Sequence, residues 1–416
     1  MTGYVISWFF PPINSSEGLV TFKLLKNSKY KYVVFTQNNN EAFSYGSKEE
    51  KLVSDNIDTV FAQSDNPEDW ITEGIEYFEK NKDKFDFIMS RSMAPESHII
   101  ALEIKKRHPN VKWIASFGDP IADNPFTYFY QVKSPYRPLG SGIEDICIRS
   151  LISPKRIFKN TLWKIKNLNK DDLEKKNIDL QNKVLAHSDK VILNNKYQKS
   201  HMLKNQPDEI KNKVIIIPHA YDSDFYEHNI NKNNDKIIFS YLGHLDNIRT
   251  PINFLKAIKR LKQNDKNLSN KLEINFYGNI SVNDKLYIID NELYDIVKVK
   301  KAVTYFESLK IMQKSDWLLL IDANLGIFLN ENIFFAAKIS DYLGSKSNIF
   351  GITMDNGPSA DILRKTNSVL SSYSVDEIYM KLSMILNKKN SNFTINQEEY
   401  DIKNVVHSYD DMVNNL

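Results

Sequence analysis

The stretch Lys338-Ile339-Ser340-Asp341-Tyr342-Leu343-Gly344-Ser345 stands between two apolar runs, Trp317–Ile321 before it and Ile349–Thr353 after it. Strand, irregular loop, helix start and strand is a layout that aims the free N–H groups of a helix N-terminus at an anionic ligand. Asp341, one turn in, stands where a carboxylate hydrogen-bonds a ribose in nucleotide-binding α/β sheets. Upstream, Arg249 precedes Thr250-Pro251, where a helix is expected to begin, so a guanidinium and a helix dipole meet in one place. The two positions together point to a nucleoside diphosphate ligand.

Working outward, short apolar runs alternate with polar or amphipathic stretches of helical length over the whole chain. Strands are expected at Tyr4–Phe10, Tyr32–Thr36, Phe85–Ser90, Val111–Phe117, Lys190–Asn194 and Val214–Pro218. A second set follows at Ile237–Gly243, Leu272–Gly278, Ile296–Val299, Trp317–Ile321 and Asn348–Thr353. Helices are expected at Glu68–Asn81, Glu96–His108, Pro251–Gln263, Ser308–Lys314 and Ala336–Leu343, with a last one over Glu398–Leu416. Such alternation implies parallel sheets with right-handed crossovers. The polar stretch Asn229–Asp235 has too little apolar surface to pack and reads as a linker.

At 416 residues the chain exceeds one compact core, and two domains are expected. The reading is α/β, with two doubly wound Rossmann-like parallel-sheet domains facing across a cleft. Residues 1–218 form the first domain and 219–397 the second, and 398–416 are a helix that crosses back to the first. A single cysteine, Cys147, excludes an internal disulfide framework and fits a reducing compartment. No apolar stretch reaches the length of a membrane span, and the N-terminus reads as a strand rather than a signal peptide. A cytoplasmic location is expected.

The net charge of +3 conceals an uneven distribution. Between Lys133 and Lys170 there are nine Lys or Arg against Glu144 and Asp145, a segment charge of +7 that leaves −4 for the rest. Cations interleaved with Ile, Leu, Phe158 and Trp163 suit peripheral contact of 133–170 with an anionic membrane surface, or a helical pair that packs internally. No nucleic-acid-binding module accompanies that charge, so nucleic acid is not expected as a partner.

Several motifs in order resemble the GT-B-fold glycosyltransferases, specifically retaining family 4 enzymes that build bacterial surface polysaccharides. Phe10-Pro-Pro12 with Gly18 is similar to the first strand-loop-helix of their acceptor domain. The runs Asp86–Ser90 and Trp113–Pro120 resemble its interior strands. Val214–Asp222 with Phe225 resembles the crossover into the donor domain. Tyr241–Leu245 with Arg249, then Phe276-Tyr-Gly278, Ser315-Asp316 and Lys338–Gly344, match the donor half in order. The chain departs from the family at some points. Of the paired glutamates with seven residues between them, Asp341 holds the second position and Ile333 the first. His244 stands where an arginine often follows Gly243, and Ser15-Ser16-Glu17-Gly18 replaces a Gly-Gly pair.

The resemblance implies transfer of a hexosyl unit from a nucleoside-diphosphate sugar, UDP-sugars favoured, to a glycan or lipid-linked acceptor. It implies a retaining, metal-independent reaction without cofactor. The donor side would comprise Gly18, Gly243, Arg249, Gly278, Thr304, Tyr305, Glu331, Lys338, Ser340 and Asp341, with the base recognised by backbone at Ala302–Tyr305. Asp119, at a strand end, is the expected catalytic or acceptor-orienting carboxylate. Asp222-Ser-Asp224 imitates a metal-binding pair but falls at the structural crossover, so no metal site is expected. Two alternatives remain on the same fold: a non-catalytic accessory subunit that binds a transferase or its acceptor, and a sugar-nucleotide 2-epimerase.

Overall fold

The computed structural model describes residues 1–13, 15–38, 52–64, 66–92, 95–125, 170–228, 230, 232, 235–245, 248–326, 328–387 and 397–416. The basic segment 133–170 lies outside them apart from its last residue, and so does much of the linker 229–235. The chain divides into two compact units, Met1–Gly118 with Ser188–Leu416, and Asp119–His187.

The larger unit holds two sheets in which every pairing is parallel. The first contains β1 (Thr2–Ser7), β2 (Lys31–Thr36), β3 (Ile57–Phe61), β4 (Phe87–Arg91), β5 (Lys112–Ser116), β6 (Lys190–Leu193) and β7 (Val214–Ile216), in the order β3-β2-β1-β4-β5-β6-β7. The second contains β8 (Ile237–Leu242), β9 (Leu272–Tyr277), β10 (Val297–Lys300), β11 (Trp317–Ile321), β12 (Asn348–Ile352) and β13 (Val369–Ser371), in the order β10-β9-β8-β11-β12-β13. These are the two doubly wound Rossmann-like layers expected. Inner strands are covered on both faces, which is why they read as continuous apolar runs: Tyr4, Val5 and Ile6 of β1 and Leu318, Leu319 and Leu320 of β11 have no exposed surface.

Strand order reverses twice. In the first sheet β1 lies between β2 and β4, with Val5 opposite both Val34 and Met89. In the second, β8 lies between β9 and β11. At each reversal the following helices depart to opposite sides and leave a crevice at the carboxyl ends of the strands. Helix starts are fixed locally. Ser15 caps Ser16–Asn27 by accepting from the Gly18 amide at 3.1 Å, and Thr304 with Glu307 forms a capping box at the start of Tyr305–Lys314.

The last helix, Ile402–Asn414, returns to the first sheet's side. Asp410 accepts from Ser28 Oγ at 2.6 Å, Tyr30 OH donates to the Asp410 carbonyl and to Asn414, and Tyr409 is fully buried. One apolar cluster joins Val5, Phe22 and Met89 with Leu309, Ile339 and Tyr342 and with Val405, Tyr409 and Met412, so both sheets and the final helix share a core. In the smaller unit, Gln181 on the helix Lys170–His187 accepts from the amides of Ile121 and Ala122 at 3.0 and 3.1 Å.

Candidate functional site

The reversal between β8 and β11 opens into a cavity of about 340 Å³, a volume within the range of small-molecule sites. Its walls come from both halves of the larger unit. Ser16, Leu19, Val20 and Lys23 belong to the first helix, while Gly243, His244, Arg249, Gly278, Ala302–Tyr305, Lys338 and Asp341 follow strands of the second sheet. Gly243 and Gly278 make this concavity. Their φ angles are +119° and +127°, and a Cβ on Gly278 would lie 2.4 Å from the Gly243 carbonyl oxygen.

Lys338, on the helix Ala337–Gly344, donates to Tyr241 OH at 2.6 Å and to the Leu242 carbonyl at 3.1 Å, which holds its ammonium at the end of β8. Asp341, at the start of that helix's second turn, accepts at Oδ1 from Lys23 Nζ at 2.9 Å and from Tyr305 OH at 3.0 Å. Among the described residues its Oδ2 receives no hydrogen bond. Lys23 is buried, so an ion pair ties the first helix to the second half. Half-buried Arg249 precedes the helix Ile252–Asn264, whose cap is Pro251. Asp322, just past β11, is buried and accepts from Thr353 Oγ1 at 3.0 Å. Burial raises its pKa, opposed by the Ser359 and Thr353 hydroxyls and by the charges of Arg249 and Lys338.

The expected residues thus separate. Gly243, Arg249, Gly278, Thr304, Tyr305, Lys338 and Asp341 converge on the cavity. Gly18 instead packs against the backbone of Phe9 and Phe10, and Ser340 faces the core with its hydroxyl on the Ala337 carbonyl at 2.7 Å. Helical periodicity explains the second case: Ser340 lies on the face of Ile339 and Leu343, whereas Lys338 and Asp341 share the opposite one. Glu331 is half-buried in the loop before Asn332 and does not line the cavity. Asp119 is half-buried, belongs to the smaller unit and is not among the lining residues. Asp222 and Asp224 are both engaged by lysines, Asp222 with Lys26 at 2.7 Å and Asp224 with Lys403 at 2.7 Å, and Asp222 also caps the Asp224 amide. No group of three or more acidic, His or Cys side chains suited to a metal occurs among the described residues.

Sequence reading did not single out Lys23 as a site residue, nor the polar cluster at the other reversal. There Arg91, the last residue of β4, pairs through Nε with Glu17 Oε2 at 2.8 Å and through Nη1 with Ser116 Oγ at 2.8 Å. His219, after β7, is 4% exposed with its ring 4.8 Å from that of Phe335. Burial holds it neutral, well below the usual imidazole range, and the charges of Arg91 and Lys23 act in the same direction.

Two doubly wound parallel sheets, a cavity at the second sheet's strand reversal and a final helix returning to the first sheet define the GT-B architecture. Solved structures agree over the full chain. HepE of Anabaena, crystallised with UDP and glucose, is 10% identical with a TM-score of 0.67, and the match covers 100% of both chains. A glycosyltransferase of Rickettsia africae is 14% identical with a TM-score of 0.65, covering 100% of this chain and 99% of that one. The UDP-GlcNAc 2-epimerase of Methanocaldococcus jannaschii is 13% identical with a TM-score of 0.52, covering 98% and 99%. No family model matches the chain, and no curated protein matches it in sequence. Among the described residues no helix is long and apolar enough to cross a membrane.

Proposed function

We propose that this protein is a glycosyltransferase that takes a hexosyl unit from a nucleoside-diphosphate sugar, a UDP-sugar in the first instance. The observation that carries this reading is the cavity's charge. Among the residues that line it, Lys23, Arg249 and Lys338 stand against one carboxylate, Asp341, so the lining is cationic toward a diphosphate, while buried Asp322 acts on Arg249 and Lys338 from beyond β11. A helix start at Ala337 adds its dipole to that field. Asp341 Oδ2 is then available to a ribose hydroxyl while Oδ1 stays with Lys23 and Tyr305.

On this reading the leaving diphosphate is stabilised by side-chain cations already in place, and the protein contributes mainly positioning and charge neutralisation. A metal-independent, retaining reaction is the form that the sequence resemblance favours. The acceptor is a glycan or lipid-linked sugar in surface polysaccharide synthesis, handled at the cytoplasmic face of a membrane that 133–170 contacts. The likeness to HepE, seen with UDP and glucose, supports the donor class.

The test is incubation with radiolabelled UDP-glucose, UDP-galactose and UDP-N-acetylglucosamine, with and without a bacterial membrane lipid extract. Label moving to the lipid fraction with stoichiometric UDP release is expected. Interconversion of UDP-sugars without acceptor would instead assign the 2-epimerase activity, and nucleotide binding without any turnover would assign the accessory role.

A further inference from the structure

The crossover from β9 to the edge strand β10 is the helix Val282–Asp290. Its orientation is fixed from the inside. Ser281 caps it by accepting from the Asp284 amide at 3.1 Å. The buried Asp284 carboxylate accepts from Ser281 Oγ at 2.6 Å and from Thr250 Oγ1 at 3.1 Å, and Ile288, one turn on, is buried in the core of the second sheet. The face turned outward is apolar rather than polar: Val282 is 58% exposed, Leu286 49% and Ile289 60%. Spacings of four and three residues gather these side chains within about 60° of the helix surface. Tyr294, just past the helix, is exposed as well. Single exposed apolar residues are ordinary, whereas a contiguous stripe on one face marks an interaction surface.

The charges beside the stripe decide what it fits. Lys285 flanks it on one side and Asp290 on the other. Both are exposed, and among the described residues neither enters an ion pair. Nearby surface charges do pair, Lys262 with Asp295 at 2.9 Å and Lys298 with Glu273 at 2.7 Å. A stripe with a cation along one edge and an anion along the other complements a second copy of itself. Two such helices packed in parallel about a two-fold axis bring the Lys285 edge of each against the Asp290 edge of the other, as the flanks of a parallel coiled coil do. The offset from Lys285 to Asp290 is about 7.5 Å of axial rise, which an extended lysine spans. Antiparallel packing would instead set lysine against lysine and aspartate against aspartate. Strand addition at β10 is opposed by Lys298, exposed on the sheet edge.

We propose that this helix face is a homodimer surface: a second copy of the chain docks on it in parallel, with Leu286 and Ile289 in the seam and Lys285 of each copy paired with Asp290 of the other. One helix face is smaller than the roughly 800 Å² per partner of a stable complex, so the dimer forms and dissociates with concentration. None of these residues lines the nucleotide cavity, and the inference stands independently of the transferase reading.

The test is sedimentation velocity on the full chain from about 1 µM to about 1 mM, the span in which weak interfaces become populated. Circular dichroism restricts the comparison to folded samples. The unaltered protein should pass from monomer to dimer across the series, and Leu286→Arg should remain a monomer. Lys285→Asp and Asp290→Lys should each weaken dimerisation about fivefold, since two exposed pairs are reversed at once. An equimolar mixture of those two variants should associate as tightly as the unaltered protein, because each then meets its opposite charge. A monomer throughout the series overturns the proposal, as does an unchanged dimer in Leu286→Arg. Single variants that are weakened and do not recover on mixing overturn the parallel pairing. A monomer that co-sediments with anionic liposomes, and ceases to in Leu286→Arg, assigns the stripe to a membrane surface and overturns the dimer.

Discussion

Replacing Lys23 by Met tests how the two halves are joined at the cavity. The ammonium is 2.9 Å from Asp341, with side-chain exposures of 2% for Lys23 and 14% for Asp341. Removing one partner of a buried pair leaves a charge without compensation, at a cost of about 3–5 kcal/mol. Asp341 is the better provided of the two, since Tyr305 OH still donates at 3.0 Å and some solvent reaches it. Lys23→Met should therefore destabilise by about 2–3 kcal/mol, below the full range for a broken pair. Asp341→Leu strands the more deeply buried ammonium and should reach that full range, about 3–5 kcal/mol. The double variant Lys23→Met/Asp341→Leu removes both charges and should lose less than Asp341→Leu alone. Urea unfolding of the four proteins, followed by circular dichroism and tryptophan fluorescence, gives the coupling directly. Single losses below about 0.5 kcal/mol that simply add in the double variant would refute the reasoning, because that is the signature of an exposed pair.

Three other outcomes follow from the same geometry. Gly243→Ala forces a side chain onto a φ of +119° with its Cβ 3.1 Å from Lys338 Nζ; it should lose about 1–3 kcal/mol of stability and weaken UDP binding, read by thermal unfolding and titration. His98 is held down at about 3 from an ordinary 6.5, first by burial and then by Arg91, and His219 is lowered by burial and nearby cations too. Both take up a proton on unfolding below their ordinary pKa, so stability falls with falling pH, by about 2 kcal/mol for His98 between pH 7 and 5, with His219 acting in the same direction; His98→Asn should flatten that dependence in urea midpoints by about the His98 share. Neutralising Lys155, Arg156 and Lys159 should reduce partitioning onto anionic liposomes at low salt, and unchanged sedimentation would exclude membrane contact through that segment.

Much of this architecture was legible because buried parallel strands announce themselves. Trp317–Ile321 is a strand from its first expected residue to its last, and the other inner strands differ by a few residues at their ends. The two strands not anticipated lie at sheet edges. Ile57–Phe61 is only half-covered and shows no apolar run, and Val369–Ser371 is too short to stand out. Several cavity-lining residues were legible for a similar reason: Gly243, Gly278, Lys338 and Asp341 sit at strand ends and helix starts, which local patterns mark.

What was not legible is what the fold brings together from a distance. Lys23 reads as a surface lysine until the returning second half covers it and supplies Asp341, 318 residues away in sequence. Glu17 and Arg91 are 74 residues apart and meet only because β4 pairs beside β1. Ser340 is the opposite case: Lys338 and Asp341 reach the cavity, but the helix turns Ser340 into the core beside Ile339.

The account stands most directly on calorimetric titration of UDP and GDP into the unaltered protein and into Arg249→Ala and Lys338→Ala. A charge-assisted hydrogen bond contributes about 1.5–3 kcal/mol, so Arg249→Ala should weaken the preferred nucleotide by more than tenfold. Micromolar binding of one nucleotide by the unaltered protein, weakened in both variants while their folds persist, is the predicted result. No binding by well-folded unaltered protein, or the same affinity in all three proteins, would contradict it.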